Sequence, residues 1–134
     1  MVAHLLIDTD VLIDCLRGYP QAVRFLEERD ERLFVSAITA AELYAGVREG
    51  DERFRLDRFL QGFEIVPIDL RLAISRGLHR REFGKSHGVG LADAIIAVTA
   101  IHLGSLLVTL NRKHFPMLEN VLVPYDKKEY HEFQ

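Results

Sequence analysis

The sequence predicts an α/β fold with a mostly parallel sheet, and three observations lead to this class. Short apolar runs typical of buried strands alternate with longer segments that have helical spacing. Glycine or proline separates most of these segments and marks where they end. No repeat or linker interrupts the alternation, which favours parallel strands joined by helices on both faces of the sheet. Right-handed crossovers then bring the carboxyl ends of all strands to one edge.

The first half of the chain supplies two predicted strands and four predicted helices. Apolar runs form the strands Val2–Ile7 and Leu33–Val35. Apolar residues recur every three or four positions in the helical segments, three of which end near a glycine. These helices are Val11–Leu16, Gln21–Asp30, Ser36–Arg48 and Asp51–Leu60.

The second half supplies three strands and two helices. Proline stops the strand Phe63–Val66, and glycine ends the helix Leu70–Phe83. The helix Leu91–Leu103 is apolar on nearly every side, so we expect it to be buried. The last strands are Ser105–Thr109 and Val121–Val123. The length of 134 residues fits one domain, which we place at 1–134.

Composition narrows the function classes. The net charge of −3 excludes a generally basic nucleic-acid-binding protein, so nucleic acid could bind only through a local basic patch. Cys15 is the single cysteine, which excludes an internal disulfide and agrees with the cytoplasm, where we expect the protein. No apolar run reaches the roughly 18 residues of a membrane span, so no membrane association is expected.

Four polar residues are predicted to share the edge where the strands end. Asp8 ends the first strand, Glu42 lies in the helix after the second, and Asp93 lies in the first turn of the apolar helix. Asn111 follows the fourth strand. Three carboxylates gathered there repel one another unless a cation joins them. Mg²⁺ or Mn²⁺ prefers such oxygen ligands, and a site of this kind can activate water for cleavage of a phosphodiester.

Structural explanations compete with this chemistry at several positions. Asp10 is most simply the N-cap of the first helix. Thr39 and Glu42 have the spacing of a capping box, which would explain the glutamate without a function. Asp93 is favoured by the dipole of its helix, and Asn111 is a common turn residue.

A basic stretch lies next to the acidic residues. Between Arg71 and His87 there are five Lys or Arg residues and one acid, and this stretch leads to Asp93. Arg112 directly follows Asn111. Such a layout suits a phosphate backbone that approaches a metal, although a solvated helix face would have the same composition.

The regions around Asp8, Glu42, Asp93 and Asn111 resemble PIN-domain ribonucleases, and most closely the VapC-type toxins of toxin–antitoxin pairs. The matching segments occur in order over nearly the whole chain: IDTD at 7–10, AAELYAG at 40–46, LADAIIA at 91–97 and LVTLNRKHF at 107–115. The resemblance implies a three-layer α/β/α sandwich with a mostly parallel five-stranded sheet. It also implies Mg²⁺- or Mn²⁺-dependent endoribonuclease activity, a homodimer and a cognate antitoxin.

The resemblance also implies a role for each site residue. Asp8 and Asp93 would bind the metal, and Glu42 would be a catalytic or water-mediated ligand rather than a cap. Asn111 would complete the catalytic set at a position where the family often has Asp. Thr109 and Arg112 would order the site and bind the substrate.

Two other functions fit parts of the sequence. The segment at 5–10 also resembles the start of haloacid-dehalogenase-like phosphatases, in which Asp8 would be a covalent nucleophile and Asp10 the general acid. That alternative leaves Glu42 and the segment 109–115 without a role. The second alternative is a metal-free binding module without turnover.

Overall fold

Strand β1, at His4–Ile7, lies at the centre of the sheet. The structure is a computed structural model of the chain, and it describes residues 4–75, 77–78 and 90–127. The other strands are β2 at Arg32–Ser36, β3 at Glu64–Val66, β4 at Leu106–Val108 and β5 at Val121–Leu122. Their order across the sheet is β3-β2-β1-β4-β5, and all neighbours are parallel. The predicted parallel five-stranded sheet is therefore confirmed.

Six helices are present in the described residues and connect the strands. They are α1 at Thr9–Leu16, α2 at Pro20–Glu27, α3 at Ala37–Ala45, α4 at Asp51–Leu60, α5 at residues 70–75 and 77–78, and α6 at Leu91–Leu103. The predicted bounds of α4 and α6 match the structure, and most other bounds differ by one to three residues. The remainder of the predicted helix at 70–83, and the first two residues of the predicted first strand, lie outside the described residues.

The sheet lies between two helical layers because successive strand side chains point to opposite faces. Leu5 and Ile7 of β1 pack in one core with apolar residues of α1, α3 and α4. Leu6 packs in a second core with Ile96 of α6 and with Phe115. Residues 94–100 of α6 are all buried, as its apolar sequence predicted. The three-layer α/β/α sandwich is thus confirmed.

The order of the strands places a crevice beside β1. The chain runs from β1 outward to β2 and β3, and then returns to the other side of β1 to form β4. In open α/β sheets, ligands bind beyond the carboxyl ends of the strands at such a reversal. The residues that follow β1 and β4 therefore meet where a site is expected.

Candidate active site

Asp8 lies at the junction of β1 and α1 and is the N-cap of α1. One carboxylate oxygen, Oδ1, accepts a hydrogen bond of 2.8 Å from the Thr9 backbone N–H. The other, Oδ2, accepts a bond of 2.7 Å from the Thr109 hydroxyl. Asp8 is only 7% exposed, so these two bonds hold a nearly buried carboxylate in one orientation at the end of the central strand.

The structure corrects the prediction that Asp10 is the N-cap of the first helix. The helix begins at Thr9, directly after the strand, so Asp8 takes the capping position and Asp10 lies within the first turn. Its Oδ2 accepts bonds from the Leu110 backbone N–H at 3.1 Å and from Asn111 Nδ2 at 3.0 Å. Its Oδ1 accepts from the Val11 N–H at 2.7 Å. Asp10 therefore ties the start of α1 to the loop after β4.

Thr109 connects Asp8 to the same loop. Its hydroxyl donates to Asp8 and accepts a bond of 3.0 Å from the Asn111 backbone N–H. The residue has no exposed surface, so a substrate could not touch its side chain. Asn111 is exposed, and because its amide nitrogen bonds Asp10, its amide oxygen is the atom suited to a cation or a water. Arg112 follows in an exposed 3-10 turn.

Glu42 reaches this edge from the second turn of α3. The capping-box explanation for it is wrong, because Ser36 is the N-cap and its hydroxyl accepts a bond of 3.2 Å from the Ile38 N–H. Glu42 Oε1 instead accepts a bond of 2.7 Å from the Thr9 hydroxyl. The Thr9 and Thr39 hydroxyl oxygens lie 3.2 Å apart. The Thr9 hydroxyl of α1 thus contacts both Glu42 and Thr39 of α3.

Asp93 stands in the first turn of α6, on the opposite helical layer. Gly90 precedes this helix as a cap without a side-chain bond, so Asp93 is the acidic group at its N-terminus. Asp93 Oδ2 lies 3.3 Å from Nδ1 of His114, an exposed residue of the turn after β4. His114 belongs to the basic segment that follows Asn111 in the sequence.

The carboxyl groups act on one another electrostatically. Burial raises the pKa of Asp8, and the charge of Glu42 adds to this effect. Burial also raises the pKa of Asp93, with further contributions from the charges of Asp8 and Glu42. The pKa of Asp10 is raised to about 6, first by burial and then by the charge of Asp8. Asp8, Glu42 and Asp93 therefore lie near enough for their charges to act on one another, and their joint role in one catalytic site stays a prediction.

The profile of the PIN domain family matches residues 5–118, which include all of the residues just described. The chain belongs to the PIN domain family. The sequence resemblance to that family is therefore confirmed.

Individual members of the family extend the match to nearly the full chain. This PIN domain is 37% identical over 124 residues to Ribonuclease VapC10 of Mycobacterium tuberculosis H37Rv. The match covers 90% of this chain and 92% of that protein. It is 38% identical over 128 residues to Ribonuclease VapC1 of Methanocaldococcus jannaschii, covering 93% of this chain and 89% of that protein. The likeness to VapC-type proteins predicted from the four motifs is confirmed by these relatives.

Solved structures give the same result at the level of the fold. A toxin–antitoxin complex from Klebsiella pneumoniae contains a chain that is 31% identical, with a TM-score of 0.79 over 91% of this chain and 98% of that one. VapBC2 from Rickettsia felis bound to a DNA fragment from their promoter gives 26% identity and a TM-score of 0.76, over 92% and 99% of the two chains.

The phosphatase alternative does not fit the PIN domain geometry. It would require Asp10 to act as a general acid at the reacting group. Both oxygens of Asp10 are instead occupied by hydrogen bonds from α1 and from the loop after β4. The match to the PIN domain family and to relatives named ribonucleases also gives the phosphatase alternative no support.

Sequence motifs did not predict how Thr9 and Asp10 position other residues of the site. Thr9 bonds Glu42 from 33 positions away, and Asp10 bonds Asn111 from 101 positions away. The polar residue between Asp8 and Asp10 in IDTD was the available signal for Thr9. Most of the basic stretch at 71–87 lies outside the described residues, and Arg71 is exposed.

Thr9→Val is expected to lower the cleavage rate constant of this PIN domain by about tenfold, because Glu42 loses the hydroxyl that orients it. Thr9→Ser keeps the hydroxyl and is expected to stay within about twofold of the wild type. Single-turnover RNA cleavage at saturating protein measures the rate constant. Equal rates for the valine and serine variants would show that Thr9 does not orient Glu42.

Proposed function

We propose that this protein is a divalent-cation-dependent endoribonuclease that hydrolyses RNA phosphodiester bonds, and that it is the toxin of a toxin–antitoxin pair. The observation that carries the proposal is the proximity of three carboxyl groups: the charge of Glu42 helps to raise the pKa of Asp8, and the charges of Asp8 and Glu42 help to raise the pKa of Asp93. A divalent cation would relieve this repulsion. The names of the VapC relatives support RNA as the substrate.

The donor set fits Mg²⁺ or Mn²⁺. Among the described residues, no three His, Cys, Asp or Glu side chains stand in an arrangement that would hold a metal by themselves. Magnesium sites commonly need only one or two carboxylates, with waters and substrate oxygens in the other positions. Asp8 and Asp93 would hold the ion, which when bound would supply an activated water and neutralise charge on the phosphate.

The remaining residues prepare the water and the substrate. Glu42, held by Thr9, orients the attacking water or accepts its proton. Thr109 holds Asp8 from a buried position, so we assign it to positioning and not to direct contact with RNA. Asn111 completes the site through its amide oxygen, and the exposed Arg112 is placed to contact a phosphate of the RNA.

Cleavage of RNA by the purified protein tests the proposed function. We expect cleavage with Mg²⁺ or Mn²⁺ and none with a chelator. Asp93→Asn should be at least about 100-fold slower, because it removes one of two charged ligands. The matched control is Asp69→Asn, an exposed aspartate that caps α5. Equal cleavage by wild type and Asp93→Asn would attribute the activity to a contaminant and contradict the proposal.

A cognate antitoxin is the proposed protein partner. The solved toxin–antitoxin structures support this class of partner. A basic side chain from the antitoxin would satisfy the excess negative charge at Asp8 and Asp93 and take the place of the cation. The candidate is a small protein encoded next to this one. If it binds the toxin but does not protect RNA from cleavage, this mode of inhibition is wrong.

A homodimer is the proposed assembly. Several large apolar side chains on and before α5 are 41–73% exposed, namely Ile68, Leu70, Ile74 and Leu78. An apolar surface of this kind favours association. Sedimentation of the purified protein as a monomer would contradict the proposal.

None of the described helices is long and apolar enough to cross a membrane. The cytoplasm stays our predicted location.

A further inference from the structure

A groove of about 640 Å³ lies beside the candidate active site and has no role in the proposed chemistry. Asp10 and Asn111 form its boundary with the site, and Val123, Tyr125 and Lys127 line it from the segment after β5. We propose that this groove binds a nucleobase of the RNA next to the phosphate that is cleaved. The inference rests on the proposed ribonuclease function and adds to it a subsite for the substrate.

The aromatic wall of the groove is held in place before any ligand binds. The Tyr125 hydroxyl donates a 2.7 Å bond to Oδ2 of Asp14, a residue of α1 that is 5% exposed. Lys127 Nζ donates a 2.7 Å bond to the other oxygen of Asp14. The ring of Tyr19 packs against that of Tyr125 with centroids 5.2 Å apart. A ring fixed in this way loses little conformational entropy when a base stacks on it.

The chemistry of the groove suits a base better than a phosphate. Leu110 and Val123 provide apolar surface, and Tyr125 provides a π-face that stacks with any base. Asp10 also lines the groove, and its carboxylate would repel a phosphate. The charge of Lys127 is already paired with Asp14. The backbone phosphates would therefore stay at the metal while a base enters the groove.

The groove is continuous with the site through two shared residues. Asp10 and Asn111 are bonded to each other at 3.0 Å and line the groove. Asn111 is also bonded through its backbone to Thr109, which holds Asp8. A nucleotide whose phosphate lies at Asp8 thus has its neighbouring base beside the groove, which makes the subsite a part of the same RNA path.

A matched pair of substitutions at Tyr125 tests the inference. Tyr125→Phe and Tyr125→Leu both lose the bond to Asp14, but only the leucine variant loses the ring. Each is made in a Glu42→Gln background to suppress cleavage, and the affinity for a short labelled single-stranded RNA of random sequence is measured by fluorescence anisotropy with Mg²⁺. We expect binding by the phenylalanine variant within about twofold of the parent, and at least about fivefold weaker binding by the leucine variant.

A second pair does not depend on the folding of the Tyr125 variants. Val123 is 39% exposed in the groove, and Phe54 is 60% exposed on α4, which contributes no residue to the groove. Val123→Asp is expected to weaken RNA binding at least about fivefold by adding a carboxylate to the path, and Phe54→Asp to leave it within about twofold. Both substitutions replace an exposed apolar side chain with the same charge.

The possible results distinguish a failure of the proposed subsite from a failure of the proposed ribonuclease function. If the wild type cleaves RNA but the two variants of each pair bind RNA with equal affinity, the inference is overturned. The groove then holds another occupant, such as a protein partner. If the folded wild type neither binds nor cleaves RNA, the proposed function fails and the subsite fails with it.

Discussion

Asp8→Asn is expected to lower RNA cleavage by at least about 1000-fold and to abolish the rise in melting temperature that Mn²⁺ gives the wild type. Asp8 is the nearly buried carboxylate at the end of the central strand, and its charge acts on Asp93, with which it would share the cation. An amide keeps the size of the side chain but loses the charge, so the cation binds the folded state more weakly. Single-turnover cleavage and thermal unfolding with and without Mn²⁺ measure the two effects.

Asp14→Asn is the matched control for Asp8→Asn. Asp14 is also a buried aspartate of the same segment, at 5% exposure, but it bonds Tyr125 and Lys127 rather than the acidic site. Its asparagine variant should lose stability and keep the response to Mn²⁺. If Asp8→Asn also keeps that response, Asp8 does not bind the cation. A binding module without turnover would show no difference between wild type and Asp8→Asn on any RNA.

Asp14→Ala is expected to lower the free energy of unfolding by about 3 kcal/mol, because the Tyr125 hydroxyl and the Lys127 ammonium lose their common acceptor. The partly exposed Lys127 regains water, which keeps the loss below that of a fully buried ion pair. For a chain of this size the melting temperature should fall by roughly 10 °C. Urea unfolding followed by circular dichroism measures the change.

The control for Asp14→Ala is Asp30→Ala, at an exposed aspartate between α2 and β2, with an expected change within about 0.5 kcal/mol. A loss of less than about 1 kcal/mol in Asp14→Ala would mean that the segment after β5 contributes little to the fold and that Tyr125 is not fixed by its bond to Asp14.

The layers of the fold could be predicted because they follow from local patterns. The apolar sequence of α6 predicted both its bounds and its burial, and alternation along β1 separates the two cores. The start of α1 was placed too late because an aspartate that follows a strand can end the strand and cap the helix at once, as Asp8 does. The extent of a single domain over 1–134 stays a prediction.

The acidic site could be predicted in part. Their joint role in catalysis stays a prediction, but strand order brings Asp8, Glu42 and Asp93 to one edge, so that shared location followed from the topology. The bonds that orient them did not, since Thr9 meets Glu42 and Asp14 meets Tyr125 only when distant segments pack. Asp10 shows most clearly what neighbouring residues in the sequence cannot predict. Its sequence neighbours predict a cap, whereas its partner lies 101 residues later.

The bond between Asp8 and Thr109 has a consequence for the moment at which the enzyme becomes active during its synthesis. Thr109 is 101 residues downstream of Asp8, so the ribosome has made most of the chain before β4 can dock beside β1. We hypothesise that the growing chain is harmless to the RNA of its own ribosome until β4 emerges. Cleavage by a purified chain that ends before Leu106 would contradict this hypothesis.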